Sequence, residues 1–207
     1  NDITACNGES IAITPANSVP GTLFTWTSSN GSIGSGSTGT GSLSFTATNA
    51  SNVPVSSDFS VLPSYSVGAV TCSGSPELFT VTVNPTPTVD PVGDQDLCNG
   101  SSTSEIIFTG SVAVTVFDWV NNDTSIGLSP VGSGSISSFT AQNSGSNTVV
   151  STVTVTPAAN SCAGSSEVFS ITVYANPLVS NSITSETICS GSSSASVVWT
   201  SLTSGTT

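Results

Sequence analysis

The chain contains no Lys, no Arg, no His and no Met, and charged residues make up 6% of it, against roughly 25% in ordinary soluble domains. All twelve charges are carboxylates, giving a formal net charge of −12. Without cations there is nothing to displace counterions from a phosphate backbone, which excludes nucleic-acid recognition. The same lack removes electrostatic attraction to anionic lipid surfaces. Without His or Lys, triad chemistry has no base, and phosphoryl transfer has no cationic clamp. Only paired carboxylates remain as catalysts, and these need a partner at a defined separation. Glu77 and Glu167 recur five residues after a cysteine, but no second acid is read as recurring beside them. We expect no enzyme.

Long apolar runs are also missing. No stretch approaches the roughly 18 apolar residues of a membrane span, and no export signal is visible. With no initiator Met, the chain is expected to be an interior segment of a longer secreted protein, with its export signal and anchor elsewhere. Hydrophobic residues nevertheless reach 36%, rich in Val, Ile and Phe, a content that disordered chains lack.

Internal repetition organises the chain. Cys6-Asn7-Gly8 returns as Cys98-Asn99-Gly100 and as Cys189-Ser190-Gly191. Trp26 returns as Trp119, Ser32-Ile33-Gly34 as Ser125-Ile126-Gly127, and Ser44-Phe45-Thr46-Ala47 as Ser138-Phe139-Thr140-Ala141. Cys72-Ser73-Gly74-Ser75 matches Cys162-Ala163-Gly164-Ser165, and Asn84-Pro85 matches Asn176-Pro177. The unit is about 92 residues long, which sets expected domains at 1–84, 85–176 and 177–207, the last incomplete.

Within each copy the pattern is β. Val149, Ser151, Val153 and Val155 alternate with Val150, Thr152, Thr154 and Thr156, the period of a half-buried strand. Further runs at 105–110, 112–120, 135–142 and 168–173 are separated by Gly, Ser, Asn and Pro. Short, turn-punctuated runs of this kind predict an all-β, Ig-like sandwich of about seven strands per copy. Trp26 and Trp119 are expected at the core centres, with Phe45, Phe139, Phe79 and Phe169 opposite. Trp199 falls ten residues after Cys189, as Phe108 does after Cys98, so it replaces a core Phe. Proline after the closing Asn restricts that joint to extended conformations. Tandem domains joined this way are expected to make a rod.

Two cysteines per copy in a His-free chain predict disulfides and an oxidising compartment, while C-x-x-C zinc spacing is missing. One pairing joins Cys6 to Cys72 and Cys98 to Cys162, leaving Cys189 for a partner outside the fragment. The other joins Cys72 to Cys98 and Cys162 to Cys189. In an Ig topology the two cysteines of a copy fall at opposite ends, so neither is comfortable. The pairing between copies needs the longer reach, so the one within a copy is preferred. It would close a loop of roughly 65 residues, worth roughly 4 kcal/mol in the chain-entropy model.

The best metal candidate is Asp90, Asp94 and Asp96 in Asp90-Pro91-Val92-Gly93-Asp94-Gln95-Asp96, since closely spaced carboxylates can supply calcium with oxygen ligands. Against it, the third copy has Asn181, Ser185 and Thr187 at these places. Calcium is thus the one cofactor considered. Asn30, Asn49, Asn99 and Asn122 lie in N-x-Ser/Thr sequences.

The Cys98-Asn99-Gly100 opening, Ile106-Ile107-Phe108-Thr109-Gly110, Phe117-Asp118-Trp119-Val120-Asn121-Asn122, Ser125-Ile126-Gly127-Leu128 and Phe169-Ser170-Ile171-Thr172-Val173 resemble the PKD-like repeats of Bacteroidota surface proteins. These are similar to repeats of the very large SprB-type gliding-motility adhesins exported by the type IX secretion system. The first copy departs from the pattern at 17–21 and 64–70. The resemblance implies PKD-like sandwiches, an outer-surface location, a filamentous stalk and no catalytic residues. Its partners would be further repeats of the same chain and, through other regions, a surface anchor or the secretion and motility machinery. The alternatives are a module that binds polysaccharide or calcium, or a spacer in a secreted enzyme.

Overall fold

A computed structural model describes residues 1–16, 19–179, 187–194, 196 and 201, so Trp199, Asn181 and Ser185 lie outside the described residues. The first copy contributes β1 (Ile3–Cys6), β2 (Ser10–Ile13), β3 (Leu23–Ser28), β4 (Thr38–Thr40), β5 (Leu43–Thr46), β6 (Val55–Val67), β7 (Val70–Ser73) and β8 (Glu77–Asn84). The second contributes β9 (Gln95–Cys98), β10 (Val116–Asn121), β11 (Val131–Ser133), β12 (Val149–Ala159), β13 (Cys162–Ala163) and β14 (Glu167–Tyr174). The expected seven strands per copy are thus eight and six among the described residues.

One sheet runs β1-β8-β6-β3-β4 with β7 on β6; another runs β11-β10-β12-β14-β9 with β13 on β12; β2 and β5 form a separate pair. The copies share their register. β1 pairs in parallel with β8, Ile3 opposite Val81 and Cys6 opposite Asn84. β9 pairs in parallel with β14, Gln95 opposite Ile171 and Cys98 opposite Tyr174. The alternation read for 149–156 extends along β12, which turns Ser151, Val153, Val155, Pro157 and Ala159 inward.

The expected strands at 105–110 and 135–142 are reduced to isolated bridges, Ile106 with Ile136 and Ser102 with Thr140. Side chains occupy backbone groups in this stretch. The Thr103 hydroxyl accepts from the Phe139 amide at 2.9 Å, the Thr103 carbonyl accepts from Ser138 Oγ at 2.6 Å, and Gln95 Oε1 accepts from the Ser104 amide at 2.9 Å. Side-chain bonds there replace ladder bonds. In the first copy the matching edge keeps a ladder from Ser10–Thr46 to Ile13–Leu43.

The described chain forms two compact units: Asn1–Asp90 with Thr109–Phe117 and Thr156–Ser166, and Pro91–Phe108 with Asp118–Val155 and Glu167–Thr207. In the first unit, Ile11 and Leu43 of the β2–β5 pair share one core with Ala5, Trp26, Phe59, Val61, Val81 and Val83 of the larger sheet. Phe59 stacks on Phe79 at 5.1 Å and on Phe45 at 6.3 Å, and meets Trp26 at 6.2 Å. Phe79 and Phe45 are half-buried, whereas Phe59, which the repeat comparison does not single out, is 1% exposed. In the second unit, Trp119 and Phe169 are buried, Phe139 is half-buried, and Phe108 meets Phe169 at 6.4 Å.

Each Trp lies against a glycine. A Cβ on Gly39 would stand 2.1 Å from the Trp26 ring, and one on Gly132 would stand 2.0 Å from Trp119. Only glycine lets the indole cover the neighbouring strand there. Trp119 Nε1 donates to the Gly134 carbonyl at 3.1 Å, while Trp26 Nε1 is buried without a partner. Two 3-10 turns, Gly31–Ile33 and Thr124–Ile126, bury Ile33 and Ile126 completely.

Candidate functional site: the cysteine joint

In the first unit β1 ends on Cys6, and a tight turn follows in which the Glu9 amide donates to the Cys6 carbonyl at 3.0 Å. The Asn7 amide donates to the Asn84 carbonyl at 2.9 Å, which ties this turn to the end of β8. Asn7 Oδ1 accepts from the Asn49 amide at 2.9 Å, and Asn49 Nδ2 donates to Val83 and Val53 carbonyls at 2.7 and 2.8 Å. Asn49 is 7% exposed, so its polar atoms need these partners. The second unit repeats the clip: Asn99 Oδ1 accepts from the Asn143 amide, and Asn143 Nδ2 donates to Val173 and Asn147 carbonyls. The recurrence of Asn7, Asn49, Asn99 and Asn143 was visible in the sequence, but nothing there marked Asn49 and Asn143 as buried.

Cys6 forms a disulfide with Cys162, their Cα atoms 5.7 Å apart and their sequence separation 156. Cys72, Cys98 and Cys189 are exposed thiols. This corrects the expected pairing of Cys6 with Cys72 and of Cys98 with Cys162. Cys6 lies level with Asn84 at the far end of β8, whereas Cys72 lies beyond its Glu77 end, in the β6–β7 hairpin. The length of β8 puts them roughly 20 Å or more apart at about 3.3 Å per residue, far beyond the roughly 7 Å Cα limit for a disulfide. The other pairing also fails, because it used Cys162 and Cys189 together.

Cys162 reaches its position at the tip of the β12–β13 hairpin, where Ala159 pairs with Cys162 across Asn160 and Ser161. Those two residues have φ of 51° and 65°, the left-handed pair that closes a two-residue hairpin. Beside the disulfide, Asn84 Nδ2 donates to the Asn160 carbonyl at 2.9 Å.

The segment after Asn84 is packed into the same unit. Pro85 and Pro87 are fully buried, as is Pro157. A Cβ on Gly164 would stand 1.8 Å from the Pro87 carbonyl oxygen, and one on Gly110 would stand 1.9 Å from that of Thr88. The Ser111 amide donates to Thr88 Oγ1 at 3.0 Å, and Asp90 exchanges bonds with Thr109: its amide donates to the Thr109 carbonyl at 2.8 Å, and its carboxylate accepts from Thr109 Oγ1 at 2.6 Å. Disulfide, asparagine bond and buried prolines thus fasten residues 84–90 at several points.

Asp90, Asp94 and Asp96 are engaged separately. Among the described residues no group of three or more His, Cys, Asp or Glu is placed to hold a metal ion. Asp90 is committed to Thr109. Asp94 Oδ1 accepts from the Ser170 amide at 2.6 Å, which holds its carboxyl below the usual range. Asp2 Oδ1 accepts from the Thr80 amide at 2.9 Å in the first copy, so a recurring acid does exist, bonded to the last strand just before the parallel ladder begins. Asp96 is exposed on β9 opposite Thr172. Glu77 and Glu167 begin β8 and β14. Asp123 accepts from Ser125 and caps the second 3-10 turn; the Ser125 hydroxyl, then its amide, lower its pKa. Asn30 does the capping in the first copy.

Residues 3–87 match the PKD-like domain family. No curated protein matches the chain in sequence. Among solved structures, mouse cadherin-23 EC22-24 is similar at 13% identity and TM-score 0.36, over 86% of this chain and 64% of that one. The tandem Ig repeats of Dlar are similar at 11% identity and TM-score 0.30, over 84% and 94%. Sidekick-1 immunoglobulin domains 1-5 are similar at 13% and 0.30, over 87% of this chain and 41% of theirs. The chain thus spans less than two thirds of the cadherin-23 and Sidekick-1 chains. PKD-like domains are typically non-catalytic modules of extracellular adhesion and stalk regions. A disulfide accords with an extracellular protein. Among the described residues no helix is long and apolar enough to cross a membrane.

Proposed function

We propose that the chain is a stalk segment of a large cell-surface adhesin, built from PKD-like copies at 1–84, 85–176 and 177–207. The observation that carries this reading is the fastening of Cys6 to Cys162 together with the burial of Pro85 and Pro87. Ordinary linkers are exposed and lightly held. A covalent bond from one copy's opening turn to the next copy's hairpin would limit bending and resist pulling, as a tether under tension requires. The acidic, cation-free composition favours a solvated, non-aggregating rod. We place this rod at the outer surface of a bacterium, exported by a type IX system and serving gliding or attachment, on the strength of the repeat resemblance.

Electron cryo-microscopy of the intact protein on and off cells tests the reading. A thin filament with one bead per roughly 92 residues is expected. A compact particle, with these copies folded against another domain, would overturn it in favour of a spacer within an enzyme.

A further inference from the structure

A groove of about 850 Å³ opens on the first compact unit, lined by Phe24, Val61, Pro63, Tyr65, Cys72 and Gly74 among others. Its wall repeats the seat that residues 84–90 occupy. Gly74 donates its amide to the Pro63 carbonyl at 2.9 Å, as Gly164 does to that of Pro157 at 2.9 Å. Thr22 Oγ1 donates to the Val19 carbonyl, as Thr115 Oγ1 does to that of Val112. Tyr65 pairs with Cys72 as Ala159 pairs with Cys162.

The two places differ in what covers them. At the second, Pro157 is fully buried, Cys162 is 2% exposed and bonded, and the Pro87 carbonyl lies against Gly164. At the first, Pro63 is half-buried, Cys72 is an exposed thiol, and a Cβ on Gly74 would meet Pro63 alone.

We propose that this groove is a docking site for the Asn-Pro-Thr-Pro end of another repeat carried ahead in the same polypeptide, sealed by a disulfide between Cys72 and that repeat's Cys-Asn-Gly cysteine. Cys98 offers the complementary half toward a following repeat. It is exposed in the turn that Cys6 uses, since the Ser101 amide donates to the Cys98 carbonyl at 3.1 Å and Gly8 and Gly100 share a φ of 88°. Cys189 opens a third such turn, with Ser192 donating to its carbonyl at 3.1 Å. In the sealing step two thiols lose two protons and two electrons to a disulfide oxidant such as glutathione disulfide, which leaves as two thiols. The site builds on the tandem-repeat part of the stalk reading but not on what the stalk adheres to.

The test joins a further copy of residues 1–92 ahead of Asn1 of the full chain, refolds it in a glutathione redox buffer and counts free thiols. The parent chain has three, Cys72, Cys98 and Cys189. The extension adds two cysteines, yet the count is expected to stay at three; five would overturn the proposal. Cys72→Ser at the original position separates the remaining case. The docked arrangement then frees the added copy's first cysteine and gives four thiols. A bond inside the added copy leaves two and overturns it. Disulfide-linked dimers on a non-reducing gel would assign the groove to a second chain and overturn the tandem source. None of these outcomes alters the filament expected by imaging.

Discussion

The hairpins β6–β7 and β12–β13 grow from the same strand pattern and end differently. Between Pro63 and Pro157 the copies are offset by 94 residues, and between Cys72 and Cys162 by 90. The four extra residues of the first copy lengthen its tip, where Ser66–Thr71 and Val67–Val70 pair beyond the level of Cys72. The second hairpin stops at Asn160–Ser161, and its cysteine is bonded and buried; in the first, the cysteine is exposed. One supersecondary unit is therefore seated in one place and open in the other. The chemistry of the hairpin does not decide this; the presence of a covering segment does.

The two cysteines should differ most. Cys162→Ser should cost about 5 kcal/mol in the chain-entropy model for so long a separation, read by urea denaturation of the oxidised protein. Cys72→Ser should leave the midpoint unchanged. Equal losses would break the contrast between bonded and open hairpins.

The buried asparagine clips should behave alike, because both copies contain them. Asn49→Ala and Asn143→Ala each strand buried polar partners and should cost roughly 2–3 kcal/mol; a loss confined to one would show that the copies are not equivalent there. Next come the hairpin glycines. Gly164→Ala forces Cβ into the Pro87 carbonyl and should cost roughly 1–3 kcal/mol as an overpacked site, while Gly74→Ala strains only the Pro63 ring and should cost less. Thermal melts of the two variants give the difference directly.

Smaller still is the indole contrast. Trp119→Phe removes a hydrogen bond to Gly134 that Trp26→Phe does not, so it should cost about 1 kcal/mol more than the other.

The smallest effect is a pH dependence. Asp123 is held below the usual carboxylate range by Ser125, so its contribution is complete above the ordinary value of about 3.9 and is lost as pH falls through the lower folded value. Asn30 holds the same position without charge. Acid melts below about pH 4 should therefore shift less in the Asp123→Asn variant than in the parent chain, whereas the loss caused by Asn30→Ala should be the same at neutral and at acid pH.

Much of the fold was legible because a 92-residue repeat with two-residue alternation leaves few architectures open. β12 and β14 follow directly from Val149–Thr156 and Val168–Val173. The β2–β5 edge was less legible, since in the second copy the side chains of Thr103 and Gln95 compete with the ladder. Phe59 escaped notice because its counterpart is Val153, so repetition gave no signal. The hairpin insertion was written in the fall of the offset from 94 to 90, and in the departure at 64–70, but an offset does not say which end of a sheet carries it.

Composition and period alone were enough for the β class and the repeat, because a two-residue alternation and a 92-residue recurrence are written in residue order. Which cysteines meet and what the aspartates bond depended on the placing of the strands. Cys6 and Cys72 share a copy yet stand at opposite ends of β8, while Cys6 and Cys162, 156 residues apart, come within 5.7 Å. Asp90 and Asp94 are neighbours in sequence, yet one bonds Thr109 and the other Ser170. Bond and ligand formation depend on reach in space, and a residue number carries none of that until the strands have been placed.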